Sequence, residues 1–186
     1  MRTFETELPA GYTEAAHVAG LHSGFLDDLK TVLPGILLVT VGCVFTTLTF
    51  LQVILSLLIF AACISPYFLL HEAVHAIVYK AATHQTVKIG FTKGGAYCSV
   101  PEIYTYRPVA VACTAAPLVV FAILLGAICI CAIVAAHWSF LPTGLLFTFH
   151  LFGCRSDVNL LREIGKYKES DILVLDNGTE QWIYRQ

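Results

Sequence analysis

One short segment, His71-Glu72-Ala73-Val74-His75, carries residue types that bind and use a metal ion. In a helix, residues four apart share a face, so the imidazoles of His71 and His75 can bind one ion. Zinc binds histidine nitrogen at about 2.0–2.1 Å. Glu72 is turned roughly 100° from His71 and can reach a water molecule at the metal without replacing it. The spacing predicts a hydrolytic zinc site with His71 and His75 as ligands and Glu72 as the general base.

A purely structural interpretation competes with this one. His71, Glu72 and His75 could form a polar cluster near a helix end, which Lys80 would mark. Ionisable residues inside a membrane segment are costly and usually functional, however. Three of them within five residues, at ligand spacing, favour the metal site.

The composition indicates that this segment lies in a membrane protein. Charged residues make up 13% of the 186 residues and hydrophobic residues 57%, where a soluble domain has about 25% charged residues. No Asp, Glu, Lys or Arg occurs in residues 31–71 or in residues 108–154. This pattern excludes a disordered chain, and the net charge of -2 without a basic run excludes a nucleic-acid binder.

Each uncharged tract is long enough for two membrane spans, because one span needs about 20 apolar residues. The pattern predicts an all-α polytopic membrane protein with four transmembrane helices and small cytoplasmic β-hairpins. Turns are expected at residues 46–49 and 137–142. The predicted helices cover residues 32–50, 53–80, 109–136 and 142–162.

The basic residues predict the topology of the chain. All eleven Lys and Arg lie outside the two turns, so the positive-inside rule places both termini and the 81–108 loop in the cytoplasm. The predicted organisation is therefore a cytoplasmic segment at 1–30, a four-helix domain at 31–162 and a cytoplasmic tail at 163–186. The predicted location is the cell membrane, with the lipid bilayer as a partner.

The cytoplasmic parts contain further predicted elements. Residues 13–30 can form a helix. Residues 86–91 and 96–100 read as one hairpin, and residues 171–175 and 180–184 as another, with Asn177-Gly178 in its turn. Neither hairpin is stable alone, so both are expected to pack on the helices or on each other. The first hairpin could bind an extended peptide along its edge.

A catalytic zinc site also needs a third protein ligand and an open position. Asp157 ranks first because it lies near the cytoplasmic end of the fourth predicted helix, on the same membrane side as His71 and His75. His150 ranks second; about 10.5 Å of helix separates it from Asp157, so both cannot readily bind one ion. Glu102 in the loop ranks third, and His84 could also fold back. Position alone leaves the choice open.

The layout resembles site-2-protease-type intramembrane metalloproteases and, more closely, a bacterial family of short four-helix membrane proteins described as zincin peptidases. The resemblance covers most of the chain from about residue 30, and only HExxH is a specific motif. The matching segments are His71-Glu72-Ala-Val-His75-Ala76, Thr114-Ala-Ala-Pro117, Gly153-Cys-Arg-Ser-Asp157, and a tail from Asp176 to Tyr184.

The resemblance implies that His71, His75 and Asp157 bind Zn²⁺ and that Glu72 is the catalytic base. His150 stands where such proteins often have Asn, and it could orient substrate, stabilise an oxyanion or bind metal. Pro117 could bend the third helix and open a path to the metal.

Three functions account for these features. The first is a zinc-dependent membrane endopeptidase acting on peptides or membrane proteins. The second is a haem-binding electron carrier, in which His71 or His75 pairs with His150; it leaves Glu72 and Asp157 unexplained. The third is a non-catalytic membrane scaffold or regulator. The sequence specifies neither the substrate nor the oligomeric state.

Overall fold

The computed structural model describes residues 3–19, 25–92, 95–100, 102–167, 172–178 and 180–186. The described residues contain five helices and seven strands. In order they are β1 (Phe4–Glu5), β2 (Thr13–Ala19), α1 (Phe25–Phe45), α2 (Phe50–Thr83), β3 (Lys88–Thr92), β4 (Gly95–Ser99), β5 (Tyr104–Tyr106), α3 (Arg107–Val134), α4 (Phe140–Gly153), α5 (Arg155–Gly165), β6 (Leu173–Asp176) and β7 (Glu180–Arg185).

The chain forms two compact units. The first contains Met1–His22, Phe68–Pro117 and Ser156–Gln186, and the second contains Ser23–Tyr67 and Leu118–Arg155. The first unit therefore holds all the strands, the end of α2, the start of α3 and nearly all of α5. The second unit holds α1, α4 and the remaining parts of α2 and α3.

A five-stranded antiparallel sheet organises the first unit, with the strand order β1-β5-β6-β7-β2. Helix α5 packs on this sheet, because Leu160 and Ile164 share a buried cluster with Val174 and Ile183 of the central strands. A second cluster joins Tyr79 of α2 to Cys113 of α3 and includes side chains from β4 and the residues after it. These two clusters fix α2, α3 and α5 of this unit relative to one another.

The β-hairpin predictions are confirmed, but one of the hairpins belongs to a larger sheet. Strands β3 and β4 pair in the register Lys88↔Ser99 to Thr92↔Gly95 and form a separate two-stranded sheet. Strands β6 and β7 pair around Asn177-Gly178 as expected, yet they form the centre of the five-stranded sheet. The protein is mostly helical as predicted, and "all-α" understates the strand content.

The predicted helix at residues 13–30 is wrong in its first part. Residues 13–19 form β2, which pairs with β7. Ala16 and Val18 pack on the sheet core while the exposed His17 stacks on Trp182, so side chains alternate with the period of a strand. Residues 20–24 lie outside the described residues. Residues 25–30 are helical as predicted, but they form the start of α1, which continues to Phe45.

The predicted helix at residues 142–162 is also wrong, because it is two helices. Helix α4 ends at Gly153, a residue type with a low helix propensity, and α5 begins at Arg155. α4 is mostly apolar, whereas α5 is amphipathic and buries Leu160 and Ile164. The change from an apolar to an amphipathic pattern therefore separates the two helices and places Asp157 in the first turn of α5.

Close helix packing organises the second unit, where α1 and α4 meet through small residues. A Cβ on Gly35 would lie 2.7 Å from the Thr148 Cα atom, and one on Gly42 would overlap the ring of the buried Phe140. Glycine is required at both positions because any side chain would overlap the facing helix. Phe140 is fully buried and joins a cluster with Cys129 and Ala132 of α3.

Among the described residues, two helices are long and apolar enough to cross a membrane, namely α2 and α3. Helices α1 and α4 are apolar, but their apolar stretches, Leu29–Phe45 and Phe140–Gly153, are shorter. The non-helical turn predicted at residues 46–49 is confirmed. The predicted count of four membrane spans stays a prediction.

Candidate active site

The first unit brings together three of the residues predicted to bind metal. The Nε2 atom of His71 lies 3.3 Å from Asp157 Oδ2, and the Nε2 atom of His75 lies 3.6 Å from Asp157 Oδ1. One ligand atom from each of the three residues lies within 4.8 Å of the others. His71 and His75 lie one turn apart on α2, as their spacing predicts, and α5 supplies Asp157.

These distances suit a tetrahedral zinc site. Two ligand atoms at about 2.0–2.1 Å from zinc, separated by a tetrahedral angle, lie about 3.4 Å apart. The distances of 3.3 and 3.6 Å from the two imidazole nitrogens to the carboxylate are close to this value. The Oδ2 atom of Asp157 is also buried without a hydrogen-bond partner among the described residues. A cation would satisfy that oxygen, so the three side chains fit a zinc ion.

The charge state of Asp157 also suits a ligand. Burial by itself would raise the pKa of this carboxyl, but the facing His71 and His75 rings outweigh burial and hold its pKa below the usual range. A position in the first turn of α5 adds the favourable helix dipole. Asp157 is therefore ionised at neutral pH, as a carboxylate ligand must be.

The ring of His75 has a second hydrogen bond that sets its tautomer. Its Nδ1 atom lies 2.8 Å from the carbonyl oxygen of Cys113 in α3. A carbonyl oxygen only accepts, so Nδ1 carries the proton and donates it. In the neutral ring this leaves the Nε2 lone pair free and directed toward Asp157, which is the arrangement found in metal-bound histidines.

Glu72 occupies the position next to this cluster on α2. It is 9% exposed, and its carboxyl is close enough to His75, His71 and Asp157 to interact electrostatically with all three. A helical step of about 100° separates it from the ligand face. Its placement would let a carboxylate exchange a proton beside an ion held by the two histidines and the aspartate.

Of the alternative third ligands, His150 has hydrogen-bond partners at both ring nitrogens, and Glu102 and His84 are exposed. In the second unit, His150 is fully buried, its Nε2–H donates to Leu118 O at 3.2 Å, and its Nδ1 accepts from the Tyr67 hydroxyl at 2.7 Å. Both the haem hypothesis and a metal role for His150 would require its ring to give up one of these bonds. Glu102 and His84 are exposed residues with positive φ angles of 61° and 57°.

Asp176 is a half-buried carboxyl whose role sequence reasoning did not predict, although the tail motif includes it. It accepts hydrogen bonds from the Tyr79 hydroxyl at 3.0 Å and from the Gly178 N–H at 2.8 Å. Burial raises the pKa of Asp176 despite these bonds. Tyr79 lies on α2 one turn beyond His75, so Asp176 ties the β6–β7 turn to the helix that carries the proposed ligands. No local sequence signal specifies this pairing.

An apolar groove of about 750 Å³ runs along α2 beyond Glu72. Its helical wall includes Ala76 and Lys80, which lie four and eight residues after Glu72 and therefore on the same side of the helix. The opposite wall is the segment that leads into β3, including Val87 and Ile89. The groove thus extends along α2 from Ala73, the residue after the proposed general base, toward the edge of the β3–β4 hairpin.

The model of a protein family described as "Putative zincin peptidase" matches residues 64–172, more than half of the chain. The chain belongs to this zincin peptidase family. The match includes the HExxH motif and Asp157, and membership points to metallopeptidase activity with zinc as the metal. No curated protein and no solved structure matches the chain.

Proposed function

We propose that this member of the zincin peptidase family is a zinc-dependent membrane endopeptidase. The observation that carries the proposal is the convergence of His71, His75 and Asp157 within ligand range of one another, with Glu72 beside them. The structural alternative, a polar cluster at a helix end, needs a protonated His71 to neutralise Asp157 Oδ2, which lies 3.3 Å from His71 Nε2. This buried oxygen accepts no hydrogen bond among the described residues, and a metal ion would satisfy it directly. Such an atom costs about 1–3 kcal/mol unless a partner fills the site.

The chain's own residues divide the chemistry between them. Zinc bound by the three ligands would polarise a peptide carbonyl and lower the pKa of a water molecule. The Glu72 carboxylate accepts the proton of the attacking water and then delivers it to the nitrogen of the leaving amine. Asp157 offsets part of the metal's positive charge, and the Cys113 carbonyl holds the His75 ring in its ligating orientation.

The groove beyond Glu72 is the proposed site for the substrate. A protease needs an extended peptide, because a helix hides its scissile carbonyls. Every second peptide group of β3 points away from its partner β4, and this free edge can pair with an added strand. Ala73, Ala76 and Ala81 leave room beside the helix for substrate side chains. A substrate strand bound there would run along the Glu72 side of α2.

The sheet supports the four-span topology. The N-terminal strands, the loop strand β5 and the tail strands all belong to one sheet, so these three parts of the chain lie on one side of any membrane. Between β2 and β5 the chain must therefore cross an even number of times. If α2 crosses once, α1 has to cross as well. An even number of crossings is also needed between β5 and β6, so if α3 crosses once, α4 has to cross too. We place this shared side in the cytoplasm on the basis of the positive-inside rule.

The apolar surfaces of the long helices agree with a lipid environment. Leu58 in α2 and Ile123 in α3 are 61% and 67% exposed. α2 has 34 residues and α3 has 28, which gives lengths of about 51 and 42 Å, against a hydrocarbon core of about 30 Å. Each helix can therefore cross the bilayer and extend beyond it. Reporter fusions at the 81–108 loop and in the 137–139 turn would test whether the two lie on opposite sides.

The decisive experiment separates metal binding from proton transfer. The purified protein, in detergent micelles, is expected to hold about one zinc per chain by elemental analysis. Glu72→Gln should keep this zinc because the residue is not a ligand, yet lower cleavage of a quenched-fluorescence peptide mixture at least 100-fold. Glu102→Gln, a change at an exposed loop glutamate, is the matched control and should retain both properties.

Two results would contradict the proposed function. One is a zinc-replete wild-type protein that contains no bound ion, since the ligand cluster would then have another role. The other is undiminished peptide cleavage by the Glu72→Gln protein, which would remove the carboxylate from the proton-transfer step.

A further inference from the structure

A proline in α3 lies four residues after the carbonyl that contacts His75. In a regular α-helix the N–H of residue 117 would donate to the carbonyl of residue 113. Residue 117 is Pro117, which has no N–H, so that bond cannot form. The Cys113 carbonyl oxygen lies instead 2.8 Å from His75 Nδ1. Pro117 and Cys113 are both fully buried, so water does not readily supply another donor.

We infer that Pro117 is a positioning residue for the metal site, because its missing N–H frees the Cys113 carbonyl to bind and orient the His75 ring. The inference rests on the proposed function in one respect only, namely that His75 binds zinc. The selection of the Nδ1–H tautomer of His75 does not depend on the metal, because it involves only atoms of the chain.

The consequence for the metal follows from the two ring nitrogens. While Nδ1–H donates to Cys113, the Nε2 atom of the neutral ring is unprotonated and faces Asp157. A backbone N–H at residue 117 would compete for the same carbonyl, and the ring would then be free to rotate or to change tautomer. Loss of an outer hydrogen bond to a metal-bound histidine typically weakens metal binding 10–100-fold.

Two variants at position 117 distinguish the effect of the missing N–H from the effect of the proline ring. Pro117→Ala restores the N–H. Incorporation of lactic acid at position 117, the α-hydroxy analogue of alanine, gives the same side chain with an ester oxygen in place of that N–H. The two variants differ in a single backbone group. Pro34→Ala, a change at an exposed proline inside α1, controls for the general effect of replacing a helical proline.

Zinc affinity is measured on each purified protein by competition with a chromophoric chelator. The Pro117→Ala protein should bind zinc about tenfold more weakly than the wild type, whereas the ester and Pro34→Ala proteins should stay within about threefold. In the metal-free proteins, at a pH where the His75 ring is neutral, ¹⁵N NMR of the histidine rings should show its proton on Nδ1 in the wild type and the ester variant. A mixture of tautomers is expected for Pro117→Ala.

The inference is overturned if Pro117→Ala keeps wild-type zinc affinity and the Nδ1–H tautomer. It is also overturned if the ester variant loses as much affinity as Pro117→Ala, since the ring and not the N–H would then matter. If neither variant folds, the wild type alone still tests the inference. A metal-free, neutral His75 ring with its proton on Nε2 and not on Nδ1 contradicts it. A wild-type protein without zinc affinity, but with the expected tautomers, would contradict the proposed function and leave the inference about Pro117 standing.

Discussion

Replacing Asp157 by asparagine should weaken zinc binding by about 100- to 1000-fold. The substitution keeps the shape of the side chain but removes the charge that faces His71 Nε2 at 3.3 Å and His75 Nε2 at 3.6 Å. Four-ligand zinc sites bind with about 10–16 kcal/mol, or about 2.5–4 kcal/mol per ligand. Since 1.4 kcal/mol corresponds to a tenfold change in Kd, loss of one ligand gives a factor of about 10²–10³.

The assay is competition between the protein and a chromophoric chelator of known zinc affinity, in detergent micelles at pH 7. Glu163→Gln is the matched control, because it neutralises another carboxylate on α5 that pairs with Lys166 and not with the cluster. That control should bind zinc like the wild type. An Asp157→Asn protein whose Kd lies within about threefold of the wild-type value would refute the assignment of Asp157 as the third ligand.

Two further predictions concern the scaffold. Burial raises the pKa of Asp176, so as pH rises above about 4 the unfolded chain releases this proton before the folded chain does, and folding stability falls. The metal-free wild type should therefore lose stability relative to Asp176→Asn as pH increases in thermal unfolding, and a pH-independent difference would contradict this. Gly35→Ala should destabilise the protein by about 1–3 kcal/mol, because its Cβ would lie 2.7 Å from the Thr148 Cα atom. Gly126→Ala, with its nearest contact at 3.9 Å, is the control, and equal unfolding midpoints for the two variants would contradict the packing argument.

Local patterns predicted much of the secondary structure. The two hairpins were predictable because turn residues such as Asn177-Gly178 separate short apolar runs. The helical spacing of His71 and His75 was predictable because four residues make slightly more than one turn. The prediction failed at residues 13–19, where the strand period of Ala16 and Val18 matters only once β7 is present as a partner. Propensity is a weak guide wherever a distant strand supplies the hydrogen bonds.

The third ligand shows where sequence reasoning stops. Position near a helix end ranked Asp157 above His150 and Glu102, but it could not place any of the three near His71. Contacts between α2 and α5 depend on two buried clusters whose members are far apart in the chain. The break after Gly153 then lets α5 begin as a separate helix with Asp157 in its first turn. Neither feature follows from local spacing.

By itself the sequence determined the apolar helices, the HExxH spacing on one helical face and the ranking of a few candidate ligands, because these depend on residues within a few turns. Only the tertiary structure brought Asp157 to 3.3 Å from His71 and the Cys113 carbonyl to 2.8 Å from His75. Those contacts join residues separated by 86 and 38 positions, and packing of α2 against α3 and α5 decides them. The sequence identifies the side chains that can bind a metal or transfer a proton. Packing between distant segments of the chain decides which of these side chains come into contact.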